Sequence, residues 1–301
     1  MKDRLATIIG ASLLSLALPL QAQDLGPSVK KIKDGIYVYA AKAQDSNVNF
    51  VLTREGVVMI DTGQTPADSR AAMGVLKKLT SQPVRFIIHT EPHDDHTAGD
   101  FIFSPPAIVI AHAGATESMR KASTAERNQK LAAEYPAVRE AIKGYRRVLP
   151  HIEYQQKMTL NLGERTFELI YLKNVHSEAD TAIWLPKERV IWATAAVGVK
   201  RFPNIRPFLT IADIQAAIKL MRALNPEVVI AGHGAPGTTQ IFDEMESYYG
   251  LLLERVGRMA REGKTLETIK AELKMPEFDD WTGRERFPNN IDAAWRAVKG
   301  N

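Results

Sequence analysis

"FIIHTEPHDDHTAGD" runs from Phe86 to Asp100. Its apolar start gives way to Glu91, His93, Asp94, Asp95 and His96, and Gly99 follows. The residues just before the change, "VRFIIH" (84–89), read as a short buried strand bounded by polar positions. The carboxylates and imidazoles therefore sit in the loop that leaves a strand. Such loops, held by a rigid scaffold, are where chemistry is usually presented.

The same arrangement recurs along the chain. Histidines stand at 89, 93, 96, 112, 151, 176 and 233. Four of them, His93, His96, His176 and His233, fall in short polar loops directly after apolar runs. Alternate residues of an extended loop point the same way, so Glu91 and His93 can reach one metal together. Asp95 and His96 can curl toward a neighbouring one, with His176 completing the first site and His233 the second. Zinc accepts imidazole nitrogen and carboxylate oxygen, and catalytic sites leave a position to water. Two nearby ions can share a hydroxide and make it nucleophilic at neutral pH. The chain contains no cysteine, which removes thiolate sites and catalytic thiols and leaves His and carboxylates as the only ligands.

Around these loops the pattern alternates strands and helices. Strands are predicted at 35–41, 47–53, 56–61, 84–89 and 107–112, then at 157–162, 165–172, 181–186, 189–194 and 227–232. Helices are predicted at 65–80, with Pro66 in its first turn and Ala71, Val75 and Leu79 sharing a face, and at 211–224 and 239–262. Residues 239–301 form a helical C-terminal part. Residues 113–150, rich in Ala, Glu, Lys and Arg, read as a helical insertion broken near Pro136. A solvated surface helix pair is the favoured reading of that insertion, and a cover for the site is the other. Two mixed sheets packed face to face with helices outside accommodate this order as one domain.

Four segments now carry a resemblance. "TEPHDDHTAGD" (90–100) resembles the metallo-β-lactamase superfamily motif, usually T-H-x-H-x-D-H with a following Gly. "VVMIDTG" (57–63), "NVHSEADTAIWLP" (174–186) and "VVIAGHGAP" (228–236) resemble that family's other landmarks, in order. The similarity covers roughly residues 30–240. It implies an α/β fold, an αββα four-layer sandwich of two mixed sheets flanked by helices, with two zinc ions at one edge. The implied ligands are Glu91, His93, Asp95, His96, His176 and His233. Asp61 and Asp180 are expected to orient those ligands by hydrogen bonds. Asp95 is expected to help orient a metal-bound hydroxide that attacks an amide, lactone or ester carbonyl, with β-lactams among the substrates. Sulfate- or phosphate-ester hydrolysis, iron-dependent oxidation, and a degenerate metal-binding protein without turnover are the alternatives. Lys200 and Arg201 could meet an anionic substrate group. His89, His112 and His151 are read as structural.

Two departures from the pattern stand out. Glu91 replaces the first His of the motif, and Thr194-Ala195 stands where many relatives have Gly-Asp, whose Asp bridges both metals. With Glu91 and Asp95 the carboxylate number is unchanged, and the charge is expected to move from the bridge onto the first site. A metal facing a carboxylate in place of a neutral imidazole is a weaker Lewis acid.

The remaining features bound the setting. Lys2 and Arg4, then the apolar run 5–20 and Ala22, form the three-part pattern of an export signal. That run falls short of the ~20 apolar residues a spanning helix needs. Residues 1–22 are therefore expected to be a signal peptide and 23–301 a periplasmic or secreted catalytic domain. No stable membrane insertion is expected once that segment is removed. A net charge of +4 with interspersed signs gives no basic tract for nucleic acid, so the partner is expected to be a small-molecule substrate.

Overall fold

The computed structural model describes residues 24–40, 46–121 and 145–300, with isolated positions between 126 and 142. The proposed signal peptide and most of the middle of the 113–150 insertion lie outside the described residues.

Among the described residues the chain forms two sheets. The first holds β1 (Val29–Lys33), β2 (Ile36–Ala40), β3 (Asn47–Thr53), β4 (Gly56–Ile60), β5 (Val84–Ile88), β6 (Ile108–His112) and β7 (Ile152–Tyr154), in that spatial order. It is antiparallel from β1 to β4 and parallel from β4 to β7. The second comprises β8 (Lys157–Leu162), β9 (Arg165–Tyr171), β10 (Thr181–Leu185), β11 (Val190–Trp192) and β12 (Val228–Ile230), in the order β12-β11-β10-β9-β8. Pairs within it are antiparallel except β11 with β12, which run parallel.

The period-2 alternation of side chains divides each central strand between two cores. Val58 and Ile60, Ile88, and Ile110 face the other sheet, where they meet Phe167, Leu169, Ile183, Leu185, Val190, Trp192 and Ile230. Their alternates Val57, Met59, Ile87 and Val109 pack outward against helix α1 (Pro66–Leu79). In the second sheet Ala182, Trp184, Ile191 and Val229 face outward. There they meet α5 (Ile211–Ala223), α6 (Gln240–Arg261) and α8 (Phe287–Lys299). Strands buried on both faces need apolar residues at every position, which is why β4 and β11 read as unbroken hydrophobic runs. The result is the four-layer αββα sandwich with two mixed sheets expected from the sequence.

Local signals place the helix ends. Thr65 caps α1 by accepting the Asp68 amide at 3.2 Å, and Pro66 occupies its first position. The buried stripe of α1 is Ala72, Val75 and Leu76, not the Ala71-based stripe expected; Ala71 is exposed. Short helices α2 (Asp94–Thr97), α3 (Asp100–Phe103), α4 (Ala113–Lys121) and α7 (Leu266–Glu272) complete the set used below.

Arg165 ties the sheets together at the edge away from the ligand loops. Its guanidinium donates to the carbonyls of Leu52 at 2.9 Å and Asp34 at 2.7 Å, and to Glu188 at 2.7 Å. Its side chain is almost wholly buried. Removing the cation leaves a carboxylate and two carbonyls without their donor, a loss of about 3–5 kcal/mol for a broken buried pair. Arg165→Met is expected to lower unfolding free energy by about that much, read as a lower midpoint in urea with an unchanged slope.

Candidate metal centre

Strands β4, β5, β9, β11 and β12 all finish at one edge of the sandwich, and each is followed by a loop that carries a polar group of the centre. Hydrogen bonds lace the two sheets together there. The Asn47 amide donates to the carbonyl of Gly232 at 3.1 Å, and the Thr181 amide to Thr90 at 2.8 Å. The Asn47 side chain donates to the carbonyl of Ala231 at 3.0 Å.

The loop after β5 begins extended and then turns. His93 has extended backbone (φ −65°, ψ 154°) and precedes α2, whose first turn carries Asp94 and Asp95, where negative charge suits a helix start. Gly99 has no substitute. A Cβ on it would lie 2.1 Å from the Ser69 hydroxyl and 2.4 Å from the Thr62 carbonyl. Ser69 lies on α1 and Thr62 follows β4, so this glycine sets how closely the ligand turn packs on its support.

Two triads result. Glu91, His93 and His176 bring one ligand atom each to within 4.8 Å of one another, and so do Asp95, His96 and His233. Each triad draws two residues from the loop after β5 and one from a loop of the second sheet. Nε2 of His233 lies 3.1 Å from Oδ2 of Asp95, and Nε2 of His96 lies 3.5 Å from the same oxygen.

The donor set fits a metal ion. Nε2 of His96 is buried with no hydrogen-bond partner, an orphan that a cation would satisfy. Burial disfavours charge on His96, yet Glu91, Asp95 and Asp61 outweigh it and hold this imidazole well above its ordinary range. A divalent ion answers the same negative field. His176 is different: burial dominates and pushes it down to about 3, so it stands neutral, the form that ligates.

Supporting groups fix the ligands from behind. Asp61 accepts from Nδ1 of His96 at 2.8 Å, from the Thr90 amide at 2.9 Å and from the Thr90 hydroxyl at 2.6 Å. It thereby aims Nε2 of His96 into the second triad. Asp180 accepts the amides of Val175, His176 and Ser177, curling the loop that presents His176. Burial pushes the Asp180 carboxyl up to about 6 despite those bonds. His89 is bound to Asp100 at 2.9 Å through Nε2. Burial opposes its charge, but Asp100 and Asp61 raise it to about 9. His112 donates through Nε2 to the Gln155 carbonyl at 2.6 Å, accepts the Gly114 amide at Nδ1 at 3.0 Å, and stacks on Tyr171 with ring centroids 3.9 Å apart, a packing role. His151 accepts the Val109 amide at 3.0 Å, away from the triads.

Above the triads lies a cleft of about 400 Å³. Lys130, Arg147, Arg201, Arg206 and Arg286 line it, against the carboxylates Asp94 and Asp95. Arg201 is therefore where the sequence suggested, but Lys200 is not. Its ammonium pairs with exposed Asp280 at 2.6 Å and faces away from the cleft. Ser118, Met119, Lys130 and Arg147 bring the 113–150 insertion to the cleft wall. The described part of the insertion therefore borders the site, as the second reading of it has it; the rest of the proposed helix pair lies outside the described residues. Arg147, Arg206 and Arg286 come from three distant segments, and no local spacing marks them in the sequence.

Sandwich and triads together define a metalloprotein of the αββα class. A family model described as "Metallo-beta-lactamase superfamily" matches residues 42–233, and the chain belongs to that superfamily of metal-dependent enzymes. It is 27% identical over 181 residues to "2,4-dinitroanisole O-demethylase subunit alpha" of Nocardioides sp. (strain JS1661), covering 59% of this chain and 49% of that one. It is 24% identical over 200 residues to "Metallo-beta-lactamase IND-1" of Chryseobacterium indologenes, covering 64% of this chain and 73% of the other. Among solved structures, the inverting sec-alkylsulfatase Pisa1 from Pseudomonas sp. superimposes with a TM-score of 0.69 at 16% identity. That match covers 91% of this chain and 50% of that one. A metallo-β-lactamase from Pontibacter korlensis gives 0.57 at 20% identity, covering 73% and 96%. The chain thus spans about half the length of the O-demethylase subunit and of the alkylsulfatase.

Asp61→Asn keeps the bulk of the side chain and weakens its hold on His96. The expected result is a folded protein whose metal affinity falls about 10- to 100-fold, the usual effect of losing a group that orients a ligand. Competition with a chromophoric chelator measures it.

Proposed function

We propose that the protein is an exported, zinc-dependent hydrolase of an anionic small molecule, cleaving an amide, lactone or ester bond. The observation that carries this reading is the cationic cleft set directly over two His–carboxylate triads. Burial lowers Arg286, and repulsion from Arg201 and Arg206 lowers it further. Crowded guanidinium groups of this kind are stabilised by a bound anion. Arg201 also has a buried Nε with no hydrogen-bond partner, a donor that a carboxylate or sulfate oxygen would satisfy.

Glu91, His93 and His176 would hold one zinc ion, and Asp95, His96 and His233 the other. When bound, such a pair supplies a Lewis acid and lowers the pKa of coordinated water toward neutrality. The protein's own groups do the rest. Arg201 and Arg286 bind the substrate anion and fix the scissile bond over the triads. Arg206 donates to the carbonyl of His176 and holds that ligand's loop against the cleft. Asp95, partly open to the cleft, accepts a hydrogen bond from the attacking water and orients it. β-Lactams, which carry a carboxylate beside a strained amide, suit this arrangement. A second reading, hydrolysis of an alkyl sulfate, is favoured by the superposition on the alkylsulfatase over most of this chain. Both readings use the same cationic wall.

Action outside the cytoplasm is part of the proposal, and residues 1–22 support it by their charged, apolar and small-residue succession. Among the described residues no helix is long and apolar enough to cross a membrane.

Protein purified without added metal is expected to carry two zinc ions per chain by elemental analysis, and chelation should abolish turnover. A parallel screen of β-lactams, neutral esters and secondary alkyl sulfates identifies the bond cleaved. Arg201→Met is expected to raise KM for the anionic substrate by about 10-fold or more, the scale of a lost charged hydrogen bond, while a neutral ester is affected little. Equal effects on charged and neutral substrates would refute the anion-binding assignment.

A further inference from the structure

We infer that Glu91 bridges the centre, delivering one carboxylate oxygen to each triad. The inference rests on the metal-dependent reading above and goes beyond the sequence expectation, which gave Glu91 to the first site alone. Glu91 is fully buried between the two triads. Its Oε2 touches Nδ1 of His93 and lies 3.4 Å from Nε2 of His176. Its Oε1 turns the other way and lies 3.4 Å from Nε2 of His96. The carboxylate thus faces an imidazole of the first triad with one oxygen and an imidazole of the second with the other.

The spacing suits shared coordination. Ligand atoms about 2.0–2.2 Å from a tetrahedral zinc stand about 3.3–3.6 Å from one another. Both 3.4 Å separations fall on that edge length. Neither is a hydrogen bond of ordinary length, and Nε2 of His96 has no other partner. An oxygen and a nitrogen at this separation, both buried, are placed as neighbours around a common ion.

The two departures from the family pattern then explain each other. The amide of Ala195 donates to Oε1 of Glu91 at 3.3 Å. The backbone at the position where many relatives carry the bridging Asp therefore steadies a carboxylate arriving from the opposite wall. The alanine side chain leaves that space to Glu91. A bridging carboxylate would be shared by both ions, so the loss of Lewis acidity expected for the first site is divided between the two.

The test loads the full chain with zinc and measures stepwise affinity by chelator competition. Glu91→Gln keeps the shape and gives up one anionic oxygen. It is expected to weaken both binding steps by at least about 10-fold, the lower bound set by losing even an orienting group. Glu91→His supplies the usual imidazole to the first triad and should weaken the second step alone. A Glu91→Gln protein that weakens one step only, while wild type still binds two ions, would overturn the bridge and leave the metalloenzyme reading standing. Wild-type protein that binds no zinc overturns both. A zinc-loaded crystal structure of the wild type decides independently of any variant: oxygens on different ions support the bridge, and both on one ion, or neither on any, reject it.

Discussion

Buried negative charge at one edge of the sandwich is the constraint from which the rest follows. Asp61, Glu91, Asp95 and Asp100 converge within reach of His89 and His96, in a region closed to water on all sides but one. Carboxylates in such a place are costly unless a cation or a dense set of donors meets them. The structure answers in layers. Threonine hydroxyls and backbone amides satisfy the rear oxygens, and imidazoles stand in front. The forward-facing oxygens of Glu91 and Asp95 meet those rings, as ligands around an ion would. The short turns, the close packing at Gly99 and the seam of hydrogen bonds between the sheets are all consequences of holding these groups still.

The interior strands were legible in the sequence because burial on both faces demands apolar residues: β4 and β11 meet that demand throughout and β10 after Thr181, while β3 is broken by Asn47 and Asn49 and β5 by exposed Arg85. Two strands were not foreseen. β1 is "VKKIK", an edge strand rich in lysine, and β7 is the three-residue edge "IEY". Edge strands carry charge and stay short, so they lack the pattern that marks their neighbours. The ligand loops were legible for a local reason: Glu91, His93, Asp95 and His96 are close in sequence, and each partner histidine follows a strand. The cationic wall was not. Arg147, Arg206 and Arg286 meet only because the insertion, the loop after β11 and the C-terminal turn fold over the same cleft. Lys200 and Arg201 show the limit of adjacency, since consecutive residues there face solvent and cleft respectively.

The turn at Thr194-Ala195 shows how the departures are accommodated locally. Thr194 adopts φ +54°, the left-handed region that glycine enters without strain, and a β-branched residue there carries a cost of about 1–3 kcal/mol. Its hydroxyl accepts the Ala196 amide at 3.0 Å, which offsets part of that cost and stiffens the turn. Gly232 fits under this turn because a Cβ would meet the Ala195 nitrogen at 2.9 Å and the His96 ring at 3.1 Å. Threonine thus holds here a backbone conformation that suits glycine, and the amide of Ala195 is aimed at the centre.

Each triad takes two residues from the first sheet's loop and one from the second sheet's. An ion in the first triad joins residues 91 and 93 to 176, and one in the second joins 95 and 96 to 233. Such ions would be cross-links that close long loops, in a chain that has no cysteine from which to build a covalent one. Coordination would clasp the two halves of the sandwich as disulfides do in other proteins. Because bound ions would favour the folded chain by mass action, the heat resistance of this protein would then follow the free metal concentration around it.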